Sequence, residues 1–127
     1  MGKRRIKSID GLAAIDAIRA NSTLRLGDSA MANPVLATAV RFLLEDLAER
    51  IPGYSVEVRV PLFGAVQCVP GPDHRRGTPP NVVELSAQTW LALALGESAV
   101  QAEVASGRVV ASGVRALEFA SVLPLVR

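Results

Sequence analysis

The feature that most constrains this chain is a change of hydrophobic period at Pro52-Gly53. Before it, Leu36, Val40, Leu43, Leu44, Leu47 and Ile51 recur at a spacing that places them on one side of a helix. Arg41, Glu45, Asp46, Glu49 and Arg50 fall on the opposite side, and Arg41 and Glu45 stand four apart, the spacing of an ion pair. Asn33 is a natural N-cap, and Pro34 occupies the first helical position, where its missing N–H costs nothing. After the break, Val56, Val58 and Val60 alternate with Glu57 and Arg59, the pattern of a strand with one wet face. A helix with one apolar stripe followed by a strand with one apolar face must press the two together, so the chain is expected to fold in layers.

The remaining elements fit that plan. Residues 8–20 read as a first helix, capped by Ser8 or Asp10, with Leu12, Ile15 and Ile18 at helical spacing. Residues 21–32 are a polar connection. The strand at 55–61 turns through Pro61–Gly64 into a second strand at 65–69, a hairpin. Residues 81–85 give a third strand. Ser86 caps a helix that carries Trp90, Leu91, Leu93, Ala94 and Leu95 and stops at Gly96. A helical segment at 98–106 ends at Gly107, a fourth strand covers 108–112, and a last short helix at 114–123 ends at Pro124. The expected class is α+β, a mainly antiparallel sheet with helices packed on one face. A single domain is expected over 1–127: a basic, flexible N-terminus at 1–7, helices at 8–53, then the sheet and its covering helices at 54–127.

Composition narrows the function. The formal charge of +2 comes from Lys3, Arg4, Arg5 and Lys7. Without them ten arginines face twelve acids, so the body is near −2. Four charges at a terminus are the mark of a solvated end. The other arginines are dispersed among acids, and no aromatic ladder accompanies them, which argues against nucleic acid as a partner. No apolar run is long enough for a membrane span, and Asp10, Asp16 and Arg19 interrupt the apolar core that a signal peptide needs. Cys68 is the only cysteine, which fits a reducing cytoplasm. One cysteine and one histidine do not make a metal site, so no metal and no cofactor is expected. Cys68 lies in an apolar strand, the setting of an inert thiol rather than a nucleophile, and no catalytic residue is assigned.

Residues 70–81, PGPDHRRGTPPN, hold the only histidine, an arginine pair and four of the eight prolines. Their prolines and glycines fit a connection between strands, stiffened by Pro79-Pro80. On that loop Arg75 and Arg76 are expected to form ion pairs with Glu57 or Glu84, or to clamp an anionic head group at a rim.

The second half has a distinctive rhythm: a strand, then SAQTWLALALG, a helical spacer, ASGRVVASG and an apolar tail. With Thr89, Trp90, Leu93 and Gly96, then Gly107, Val109, Ala111 and Gly113, it resembles the sterol carrier protein family, in its short stand-alone actinobacterial form. The resemblance covers roughly residues 54–125. It implies a twisted, mainly antiparallel sheet of about five strands with helices on one face, and an apolar tunnel between the layers that takes acyl chains or other lipids. On this chain the walls would be Leu43, Leu47, Val58, Phe63, Trp90, Leu93 and Phe119. The C-terminal PLVR carries no peroxisomal address.

The resulting expectation is a non-enzymatic cytoplasmic carrier of a lipidic or other apolar small molecule. Transient membrane contact and a homodimer stay open. Two alternatives stand beside it: an accessory interaction module without an open cavity, and a subunit of an isomerase-type enzyme in which Arg75, Arg76 or Arg108 holds an anionic substrate.

Overall fold

The computed structural model describes residues 5–27, 30–71 and 79–127. In chain order it has helix α1 (Ser8–Ala20), a 3₁₀ turn (Ser22–Arg25), helix α2 (Pro34–Arg50) and strands β1 (Val56–Val60), β2 (Gly64–Cys68) and β3 (Asn81–Leu85). Helices α3 (Ala87–Ala94) and α4 (Val100–Ala105), strand β4 (Val109–Ser112) and a 3₁₀ segment (Ala116–Val122) follow. The last element, expected as a short helix at 114–123, is this 3₁₀ segment.

Helix α2 begins as its sequence requires: Asn33 Oδ1 accepts from the Leu36 N–H at 3.1 Å. The same side chain donates through Nδ2 to the Leu24 carbonyl at 2.6 Å, so one residue caps α2 and anchors the preceding connection. Helix α1 departs from expectation. Neither Ser8 nor Asp10 caps it; Lys7 holds the cap position without a side-chain bond. Its buried side is Gly11, Ala14, Ile15 and Ile18, while Leu12 is exposed.

The reason for that rotation is Gly11. A methyl group placed on it would lie 2.2 Å from both Cδ1 and Cγ of Phe42, so α1 meets α2 with a phenyl ring laid against bare backbone. Gly11→Ala should gain about 1 kcal/mol of helix propensity and lose roughly 1–3 kcal/mol to overpacking. The expected sum is a net loss of about 1 kcal/mol in urea unfolding, recovered when Phe42→Leu is added. A Gly11→Ala protein as stable as the parent would refute this close approach.

Among the described residues the sheet has four strands, in the order β2-β1-β3-β4, against the expected number of about five. Two of the three pairings are antiparallel, but the central pair β1–β3 is parallel, so the sheet is mixed. The topology explains the parallel pair. Val56 at the start of β1 lies opposite both Cys68, which ends β2, and Asn81, which begins β3. A chain leaving the hairpin and re-entering on the other side of β1 then runs in the same direction as β1. The expected strand-to-strand connection is thus confirmed at both its ends; His74, Arg75 and Arg76 lie outside the described residues.

Val56, Val58, Val60, Val83 and Leu85 turn to the covered face and are buried. Glu57, Arg59 and Glu84 turn to the other face, where Arg59 pairs with Glu57. Helix α2 lies against β2, and the C-terminal 3₁₀ segment lies against β1, β3 and β4. The α+β class with helices on one face therefore holds.

Candidate functional site

The expected tunnel walls fall into two groups. Leu43, Leu47, Val58, Trp90 and Phe119 are 0 % exposed and belong to one buried core cluster. Trp90 also donates its indole N–H to the Val40 carbonyl of α2 at 3.2 Å. Phe63 and Leu93 are buried too, but each borders an open groove.

The groove at Leu93, of about 820 Å³, lies between the end of α3, the start of α4 and the C-terminal segment. At its mouth Glu97 is bound by Arg25, which holds the carboxyl below its ordinary range.

The groove at Phe63, of about 770 Å³, lies between the helical layer and the sheet edge. One wall is the α2 face bearing Thr38, Arg41, Leu44, Glu45 and Ala48, spaced at three and four residues. The other wall is Phe63 with β2, where Val66 points to the covered face beside Val58. Tyr54 and the N-terminal residues Arg5 and Ile6 complete the lining. Leu44, Ala48 and Phe63 belong to the buried core, so the floor of this groove is the core's own edge.

The polar groups are arranged differently from the sequence expectation. Glu45 accepts the backbone N–H groups of Arg5 at 3.2 Å and Ile6 at 3.1 Å, which draws the N-terminal segment over α2. Arg41 reaches across the groove and donates Nε to the Phe63 carbonyl at 2.7 Å. The i,i+4 pair made on this helix is Asp46–Arg50, at 2.9 Å.

Other candidates are accounted for by structure. Cys68 is fully buried, and burial pushes its thiol up to about 12, so it is protonated and unreactive in the folded state. Arg108 donates to Glu103, whose carboxyl it holds below the ordinary range with help from Ser98. Arg115 does the same to Glu118. Among the described residues no cluster of His, Cys, Asp and Glu is placed to hold a metal ion. No described helix is long and apolar enough to cross a membrane.

Sequence reasoning missed one constellation, at the start of β1. Buried Asn81 donates Nδ2 to the Ser55 carbonyl at 2.8 Å and accepts the Arg115 N–H at 3.0 Å. Arg115 in turn donates to the Pro70 carbonyl at 2.7 Å and to Ser55 Oγ at 3.3 Å. The available signal was the set of glycines around it. At Gly53 (φ 150°) an added methyl would meet the Val69 carbonyl oxygen at 2.1 Å, and at Gly113 (φ 102°) it would meet Asn81 Oδ1 at 2.3 Å.

Comparison with known proteins adds one finding. A family model described as bacterial SCP ortholog matches residues 33–125, from the cap of α2 to the C-terminal segment. A search of the curated proteins finds no match.

Proposed function

The chain belongs to the bacterial SCP ortholog family, and on that premise we propose that it is a non-enzymatic binding protein for a lipidic ligand such as a fatty acyl chain. The observation that carries the reading on this chain is the groove between α2 and β2, whose floor is apolar and continuous with the core. An apolar floor suits a flexible hydrocarbon. Each methylene removed from water contributes about 0.8 kcal/mol, so affinity needs no hydrogen bond to the tail. A cytoplasmic location belongs to the same proposal.

The test is a chain-length series. Neutral alkyl alcohols competing against a fluorescent acyl probe should bind more tightly as the chain lengthens, until the tail outgrows the groove. Native mass spectrometry of protein taken from cells should show a co-purifying lipid. Absence of saturable binding at every chain length would sink the reading.

A second reading, an accessory interaction module, is favoured by the solid core and by the β4 edge. Val110 is 64 % exposed there, and Val114 just beyond it is fully exposed. A stable dimer in light scattering that Val110→Lys dissolves, without lipid binding, would decide for it.

A further inference from the structure

The groove between α2 and β2 carries a cationic group placed against an apolar floor. Arg41 uses Nε on the Phe63 carbonyl, which fixes the plane of its guanidinium across the groove. Its two terminal nitrogens have no protein partner among the described residues. Arg5 lines the same groove. The opposing charge is Glu45, whose Oε1 already receives the Arg5 and Ile6 backbone N–H groups. Two cations and one hydrogen-bonded carboxylate therefore face the space above Leu44, Phe63 and Val66, with Gln67 as a further polar neighbour.

We propose that Arg41, assisted by Arg5, is the head-group site for an amphiphile with a terminal carboxylate, whose tail lies along Leu44, Ala48, Phe63 and Val66. The site rests on the lipid-binding reading given above and adds the class of head group and its position. A guanidinium held in one plane presents paired N–H donors that match both oxygens of a carboxylate. An alcohol or an ester lacks the charge and the second acceptor geometry, so the groove discriminates by head group as well as by tail.

The experiment compares a fluorescent polyene fatty acid with its methyl ester on the parent protein, on Arg41→Gln and on Arg41→Lys, at neutral pH and low salt. A charge-assisted bond lost without replacement corresponds to a factor of about ten or more in affinity. The parent should prefer the acid by about tenfold. Arg41→Gln should bind the acid about tenfold more weakly and the ester unchanged, and Arg41→Lys should fall between. Unchanged ester binding also shows that the variant is folded. Equal binding of acid and ester by the parent, or an equal loss of both in Arg41→Gln, would overturn the head-group site and leave lipid binding standing. If neither ligand binds the parent, both readings fall together.

Discussion

Replacement of Trp90 by alanine is expected to destabilise the protein by about 3–5 kcal/mol, the range for removing a buried indole or phenyl ring. Trp90 is fully buried and lies where α3, α2 and the C-terminal segment converge, in the same cluster as Leu43, Leu47 and Phe119. Its indole N–H is satisfied by the Val40 carbonyl, so a polar tip is buried without penalty. The cavity left by alanine cannot close unless α3 moves against α2. Trp90→Phe separates the contributions: it keeps most of the volume and loses the hydrogen bond, and about 1–2 kcal/mol is expected. Urea unfolding followed by far-UV circular dichroism is the measurement, because Trp90 is the only tryptophan and fluorescence vanishes with it. A lower midpoint with an unchanged slope is the expected form. A loss below about 1 kcal/mol in Trp90→Ala would mean that this side chain fills space that another group can take.

Asn81→Leu is the second large effect. The substitution keeps the approximate shape, but strands the buried Ser55 carbonyl and the half-buried Arg115 N–H at the start of the parallel pair. Each buried group left without a partner costs about 1–3 kcal/mol, so a loss of roughly 2–5 kcal/mol is expected. The site joins three distant parts of the chain: the start of β1, the start of β3 and the segment after β4. Asn81→Asp keeps an acceptor for Arg115 but sets a carboxylate oxygen against the Ser55 carbonyl, so its loss should grow as pH rises through the carboxyl's titration and shrink in acid. If Asn81→Leu unfolded within about 0.5 kcal/mol of the parent, the ordinary range for a surface change, the knot would be incidental to the fold.

Both effects lie partly outside what the sequence makes legible. Trp90 is plain as an inward-facing residue, since it sits in the apolar run after a serine cap, although the sequence reading sets it on a tunnel wall. Its bond to Val40 is not, because a mid-helix carbonyl has no signature in the sequence. Asn81 reads only as the polar first residue of a strand. Its role follows from the parallel register, and that register depends on which side of β1 the chain returns to after the hairpin. Arg41 gives the sharpest contrast. Helix spacing pairs it with Glu45, whereas the structure sends Glu45 to the N-terminal segment and Arg41 across to Phe63. Local spacing cannot choose between a neighbour on the same helix and a carbonyl brought alongside by another strand.

By itself, then, the sequence determined most of the elements and the apolar faces of α2 and β1. The stripe of α2, the alternation of β1, the Asn33 and Ser86 caps and the α+β layering all follow from interactions between residues a few positions apart, where chain geometry leaves little choice. The tertiary structure decided the rest: the four-stranded mixed sheet, the Gly11–Phe42 contact that turns α1, the closed packing around Trp90 and the placing of open space at the α2–β2 edge. Those outcomes depend on how whole faces fit one another. Hydrophobic patterning says that Leu43, Val58 and Phe119 face inward. Whether they meet one another or a ligand is set by the distance between layers, which side-chain volumes fix only when all of them are assembled.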